Sequence, residues 1–79
     1  MRPKSLIGKV FRDISPYGRG GEYGFRVRLV RVMAEESANR VICESFWKRG
    51  PLAGFPPRRV KILIRTLLTP NRYKELGGQ

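Results

Sequence analysis

The chain has 79 residues, and its 17 Lys and Arg side chains against 6 Asp and Glu give a formal net charge of +11 at neutral pH. This length fits one small domain over residues 1–79, and a hydrophobic fraction of 41% supplies an ordinary core, which argues against long disorder away from the ends. The sequence has no His and one Cys, Cys43, so an internal disulfide is excluded and the commonest general base and metal ligand are missing.

The first predicted element is a strand over residues 6–14. Its apolar side chains fall on both alternations and their spacing also fits a short helix, but Gly8 and the β-branched residues favour a strand with both faces partly covered. Residues 15–21, which are rich in Gly, predict a flexible loop after this strand.

The second predicted element, residues 23–33, has the clearest strand pattern, because apolar and basic side chains alternate along it. The alternating residues are Phe25, Arg26, Val27, Arg28 and Leu29. The apolar side then slips by one residue to Val30 and Val32, and such a slip swaps the two faces of a strand. We expect a β-bulge near Leu29–Val30 to absorb it.

A hairpin turn at residues 35–39 leads to a third predicted strand, residues 40–48. The alternation along this strand separates two faces. Val41, Cys43 and Trp47 fall on one face, and Ile42, Glu44 and Phe46 fall on the other. A Cys in the middle of a strand is typical of a small buried hydrophobic residue rather than of a nucleophile.

The fourth segment, residues 58–68, fits two structures. Its apolar residues alternate as in a strand, and they also carry the i, i+3, i+4, i+7 spacing of an amphipathic helix. The run Val-Lys-Ile-Leu-Ile favours a strand over residues 59–66. A short helical turn should follow, with Thr69 as its N-cap, Pro70 at its first position and Gly77 as its stop.

This order of elements predicts a mainly β fold. With a strand in the fourth segment, the chain would form a small SH3-like or OB-like barrel, and the predicted bulge would supply the bent strand that a small barrel requires. With a helix there, it would form a three-stranded antiparallel sheet covered on one face by a C-terminal helix. Both architectures carry nucleic-acid binders.

The second strand carries the best functional signal. Arg26 and Arg28 project to the same side about 6.6 Å apart, given the ~3.3 Å rise per residue, which is close to the spacing of successive phosphates along a nucleic-acid strand. Other basic residues stand at loop edges, where binding surfaces commonly lie, and two aromatic residues are placed to stack on unpaired bases. The predicted nucleic-acid-binding residues are Arg19, Tyr23, Arg26, Arg28, Arg31, Phe46, Lys48, Arg49, Arg58 and Arg59.

The positive charge favours a nucleic-acid partner, because self-repulsion destabilises so basic a fold unless a polyanion neutralises it. We expect a DNA- or RNA-binding protein that contacts mainly phosphates, with low sequence specificity. The alternative is a protein-interaction module or small regulatory subunit of a larger nucleic-acid-processing complex, which would dock through the Pro-rich loop at residues 51–57. A structural protein of an RNA particle is a third interpretation, and an exposed edge strand would allow two copies to pair as a homodimer.

Enzyme chemistry is not expected from this sequence. Glu35 and Glu36 are adjacent in one turn rather than opposed across a cleft, and the acidic residues and Cys43 lack the spacing of a metal site, so we predict no catalytic group, cofactor or metal. No apolar run approaches the ~20 residues of a membrane span, and the charged segment 1–9 breaks off before a signal-peptide core. We therefore expect no membrane partner and a cytoplasmic location, which a single unpaired Cys fits.

Overall fold

The structure is a computed structural model, and it describes residues 3–14, 27–50 and 53–78. The predicted Gly-rich loop lies outside these ranges. Within them the elements, in chain order, are a 3₁₀ helix (Pro3–Leu6), β1 (Lys9–Asp13), β2 (Val27–Ser37), β3 (Arg40–Arg49), β4 (Arg58–Leu63), the single-turn helix α1 (Ile64–Leu67) and β5 (Tyr73–Gly78). The prediction of a mainly β fold is confirmed.

The described strands form one antiparallel sheet in the order β4-β3-β2-β1-β5. The last strand returns to pair with the first, so β1 lies between β2 and β5. Strands β4 and β5 are the two edges, and within the described residues the sheet does not close into a barrel. The alternative of three strands with a C-terminal helix is wrong, because residues 58–63 of the fourth segment form β4 and β5 adds a fifth strand.

The fourth segment contains both a strand and a helical turn, the two structures that its sequence pattern fits. The chain is extended from Arg58 to Leu63 and then makes one helical turn. Thr69 does not cap a following helix as predicted, because its hydroxyl donates a hydrogen bond to the carbonyl oxygen of Arg65 at 2.6 Å and so closes the end of α1. The predicted turn after Thr69 is present but short: the N–H groups of Arg72 and Tyr73 donate to the Thr69 carbonyl oxygen at 3.0 and 3.1 Å. The chain then enters β5 at Tyr73 instead of continuing as a helix to Gly77, because the backbone there pairs with β1.

Strand β2 accommodates its slipped apolar pattern without the predicted bulge. Its pairing with β3 runs without interruption from Arg28 to Val32, and the irregularities lie on either side, at Val27/Arg28 and between Val32 and Ala34. Both apolar sets are buried, one on each face of the sheet: Val27 and Leu29 on one, Val30 and Val32 on the other. Because both faces of β2 are buried, apolar residues can lie on either face, and no bulge is needed between Leu29 and Val30.

The core lies on one side of the sheet, which we call the core face. Strand side chains there pack against residues from the 3₁₀ helix and from α1. The two short helices contribute Leu6, Ile64 and Leu67, and the strands contribute Phe11, Val30, Val32, Val41, Cys43 and Ile62. The predicted facing of β3 is confirmed at its buried positions, because Val41 and Cys43 are on the core face while Ile42, Glu44 and Phe46 alternate to the other side.

A glycine makes the turn from the 3₁₀ helix into β1. Gly8 has a φ of 89°, a left-handed conformation that favours Gly over residues with a Cβ. Its N–H donates to the carbonyl oxygen of Val32 at 2.9 Å, which fixes the start of β1 beside β2. This contact fixes the short first strand in the interior of the sheet, between β2 and β5, where it contributes to both faces.

Candidate functional site

The side of the sheet opposite the core, which we call the outer face, collects basic side chains from five strands. Residues directly opposed in neighbouring strands lie on the same face. Arg12 opposes Leu29 on one side and Lys74 on the other, and Arg31 opposes Glu44, which in turn opposes Arg59. The basic residues that this register places on the outer face are Arg12, Arg31, Arg40, Arg59, Lys61 and Lys74.

Arg31 and Phe46, both predicted site residues, meet near the middle of the outer face. The guanidinium carbon of Arg31 lies 5.6 Å from the centroid of the Phe46 ring, which is cation–π geometry. Both side chains are half-buried, and Leu29, which lies opposite Phe46 on β2, is almost fully covered. The result is a planar cation held against an aromatic ring on a basic surface.

The two central arginines of this face, Arg12 and Arg31, are incompletely satisfied. The Nε atom of each is buried and finds no hydrogen-bond partner within residues 3–14, 27–50 and 53–78. Neither guanidinium forms an ion pair with a described carboxylate. A buried donor without an acceptor costs about 1–3 kcal/mol. Because these Nε donors are covered, an anion on this surface would be bound through the terminal Nη groups, which form no ion pair with a described carboxylate.

Lys48 and Arg49 extend the basic surface at the end of β3. Both are exposed, and together with Arg12 and Leu76 they border a small cavity of about 160 Å³ over the buried Leu29. The pairing of β2 with β3 skips Lys48, so β3 has one extra residue, a β-bulge, at this point. The structure thus brings the predicted pair at the end of β3 to the same cavity as Arg12 of β1.

The prediction that the second strand presents Arg28 to solvent for phosphate binding is wrong. The Arg28 side chain is on the core face and only 11% exposed, and its Nη1 donates to a carboxylate oxygen of Asp13, itself 2% exposed, at 2.9 Å. Its Nε donates to the hydroxyl of Ser45 at 2.7 Å. The alternation in β2 left the core side undecided, because apolar residues occupy both faces. Arg28 is held by a buried carboxylate and is not available to a phosphate.

The remaining predicted residues divide into two groups. Arg58 and Arg59 are both exposed, but they oppose Ser45 and Glu44, so the first lies toward the core face and only the second on the outer face. The other group lies outside the described residues. It comprises Arg19, Tyr23 and Arg26.

Four basic residues of the outer face were not predicted. Arg12 stood alone between Phe11 and Asp13, and Lys74 lay in a segment predicted to be helical, so only the pairing of β1 with β5 reveals that they oppose each other. Arg40 stands at the start of β3, and Lys61 forms an ion pair with Glu36 at 3.1 Å. The alternation of residues 9–13 gave no signal for Arg12, because each face of β1 carries both an apolar and a charged residue.

Other kinds of site receive no support from the described residues. Burial of Cys43 raises the pKa of its thiol to about 11, although the nearby Arg28 lowers it, so this thiol is protonated at neutral pH. No group of three His, Cys, Asp or Glu residues able to hold a metal ion occurs in the described ranges. Among the helices of those ranges, none has the length and apolar character to cross a membrane.

No family model, curated protein or solved structure matches the chain. The functional interpretation therefore rests on the geometry and charge of the outer face.

Proposed function

We propose that this protein binds nucleic acid through its outer face, mainly by contacts to phosphates and with low sequence specificity. The observation that carries the proposal is the pair of central arginines, Arg12 and Arg31, whose guanidinium groups have no ion pair and whose Nε donors have no acceptor in the described part of the chain. An arginine presents a planar fork of donors that matches the oxygens of a phosphate. This is a binding role and requires no catalytic group.

The surrounding charges support a polyanion rather than a single small anion. Arg59 and Lys74 lie on the same face, on the strands at the two edges of the sheet, and Lys48 and Arg49 continue the surface at the end of β3. Neighbouring strands are about 4.8 Å apart, so these side chains are spread across a distance that several successive phosphates would span. A set of cations arranged in this way binds through the release of condensed counterions, largely without regard to sequence.

The stacked pair of Arg31 and Phe46 supports a preference for unpaired bases. Bases of single strands stack on aromatic rings and on arginine planes, and such contacts are tolerant of sequence. In the folded protein the Arg31 guanidinium is already held over the ring at 5.6 Å. A base that stacked on this pair would therefore meet a surface that needs little ordering on binding.

The finer architecture and the location belong to the same proposal. We infer an SH3-like or OB-like arrangement that is left open between β4 and β5, since the last strand returns to the first in a small antiparallel sheet. Such small sheets commonly bind nucleic acid on one face. A single unpaired Cys supports a cytoplasmic location, where thiols stay reduced.

The test is a titration of labelled single- and double-stranded DNA and RNA at about 50 and 200 mM salt, with fluorescence anisotropy as the readout. We expect the affinity to fall steeply with salt. Arg12→Gln and Arg31→Gln should each weaken binding and reduce the slope of log K against log[salt] by about 0.9 on duplex DNA or about 0.7 on single strands, the value for one phosphate contact.

The matched control is Arg65→Gln, which removes the same charge from an exposed residue of α1, away from the outer face. It should change the affinity by less than about twofold, because an isolated exposed charge at a distance is screened by salt. An affinity that ignores salt, or an equal loss in Arg65→Gln and Arg31→Gln, would contradict the proposed binding surface.

A further inference from the structure

A second concave surface lies between the two edges of the open sheet. It is a groove of about 470 Å³. One wall is formed by four consecutive residues of β4, residues 60–63, and the other by Arg72 and Tyr73 at the start of β5. Thr66 of α1 and Arg40 of β3 also line it. This groove adjoins the outer face at Lys61 and Arg40 but contains neither Arg12 nor Arg31.

The groove exposes the edge of β4 and not merely one of its faces. Successive side chains of a strand point to opposite sides, so a cavity lined by four residues in a row must lie along the edge of the strand. Strand β4 is the last strand on its side of the sheet, and no described strand pairs with its outer edge. A free edge presents a row of backbone N–H and C=O groups that can pair with another extended chain.

The charged side chains along the groove are basic. Of these, Arg28 and Lys61 are already paired with Asp13 and Glu36, whereas Arg40 and Arg72 form no ion pair with any described carboxylate. No acidic residue is among the described residues that line the groove. An occupant that complements this surface is therefore acidic.

A second copy of this chain does not fit that requirement. Pairing of two β4 edges would bring two copies of Arg58, Arg59 and Lys61 together, and opposed like charges destabilise a strand pair. Such charges on an edge strand are a common means of preventing edge-to-edge association. The homodimer predicted as an alternative is thus disfavoured at this edge.

We propose that the groove binds an extended acidic segment of a partner protein, which adds to β4 as a further strand. A strand edge both donates and accepts hydrogen bonds, and a peptide backbone matches both, whereas a phosphate chain only accepts. The apolar residues Val60 and Ile62 lie on one side of β4 and would contact alternate side chains of the segment. With six residues in β4, the paired segment is about 20 Å long.

The test uses a synthetic peptide of about eight residues that alternates Glu and Val, long enough to cover the strand. Two further peptides carry N-methyl groups, one on every Glu and the other on every Val, so that each lacks the N–H donors along one edge. We expect the unmodified peptide to shift the amide resonances of residues 60–63 and slow their hydrogen exchange. One of the two methylated peptides should fail to bind, because its pairing edge is blocked.

Substitutions of charged side chains test whether the peptide binds in the groove, and this test does not depend on backbone hydrogen bonding. Arg40→Glu and Arg72→Glu should each weaken the peptide about threefold or more, and the double variant about tenfold, as expected for exposed charges at the rim of an interface. Arg65→Glu, with the same change of charge outside the groove, should stay within about twofold. The outer-face variant Arg31→Gln should bind the peptide normally, so failure of nucleic-acid binding would leave this result unaffected.

Three results would overturn the proposal. Equal binding of both methylated peptides would show that charge alone attracts them. Dimers that form through β4 at low micromolar concentration would show that the edge is occupied by a second copy. Displacement of the peptide by a single-stranded oligonucleotide, together with an equal loss of oligonucleotide affinity in the Arg40→Glu and Arg72→Glu variants, would assign the groove to the nucleic-acid surface instead.

Discussion

Removal of the Asp13 carboxylate tests whether Arg28 has a structural role. In Asp13→Ala the guanidinium of Arg28 stays buried, 11% exposed, with Ser45 as the other described hydrogen-bond acceptor of its side chain. Loss of one partner from a buried ion pair typically costs about 3–5 kcal/mol, because the remaining charge is left without compensation. Both side chains here are far less than a third exposed, so solvent screens the pair little.

The expected loss is large against the stability of so small a protein. At about 0.05–0.15 kcal/mol per residue, a chain of 79 residues has a free energy of unfolding of roughly 4–12 kcal/mol. The substitution should therefore remove between a quarter and all of it. In urea unfolding followed by Trp47 fluorescence, with m near ~1.5 kcal/mol/M, a loss of about 3 kcal/mol lowers the midpoint by about 2 M.

The compensating double variant separates the buried charge from general damage. Asp13→Leu/Arg28→Met replaces both members with apolar side chains and should be more stable than Asp13→Ala by at least ~2 kcal/mol. Its nucleic-acid affinity should equal that of the unmodified protein, because Arg28 lies on the core face. A loss below about 1 kcal/mol in Asp13→Ala, or no recovery in the double variant, would refute the assignment of Arg28 to a buried ion pair.

Two further predictions concern single side chains. Burial raises the pKa of Cys43 from 9.0 to about 11, so the folded protein keeps this proton at pH values where the unfolded chain releases it. The resulting stability is present below pH 9 and is lost as pH rises toward 11, by about 1.4 kcal/mol at pH 10. Urea unfolding of Cys43→Ala at pH 8 and pH 10 should lack this part of the pH dependence, and an identical pH dependence would contradict it. Phe46→Leu keeps an apolar cover over the sheet but removes the ring, so it should weaken single-stranded oligonucleotides by about 1–3 kcal/mol. Duplex affinity in the same anisotropy assay should be nearly unchanged, and an equal loss on both would exclude stacking.

Much of the strand structure was predictable because local patterns and tertiary partners agree. The alternation in residues 40–48 predicted β3 and its facing correctly, and the buried Val41 and Cys43 confirm it. In the fourth segment the strand and helix patterns are both real, since the chain changes from one to the other after Leu63. Local sequence could not show where that change occurs.

Two features depended on contacts between distant parts of the chain. Strand β5 follows a Thr-Pro sequence that locally favours a helix, and the pairing of β5 with β1 limits that helix to a single turn. The role of Arg28 depended on Asp13, which the sequence places 15 positions away and on another strand. The candidate surface therefore differs from the predicted one. Five of the predicted residues remain part of it: Arg31, Phe46, Lys48, Arg49 and Arg59. Its central residue, Arg12, was identified only from the sheet register.

The ion pair between Asp13 and Arg28 has a consequence for how the sheet aligns. Strand β1 has only five residues and carries apolar side chains on both faces, Val10 on one and Phe11 on the other, so hydrophobic burial distinguishes weakly between two alignments one residue apart. A shift by one residue would place the guanidinium of Arg12 against that of Arg28 and turn the carboxylate away. The buried charges therefore make the wrong alignment of β1 electrostatically unfavourable. An apolar replacement of the pair would keep the sheet stable while removing this discrimination.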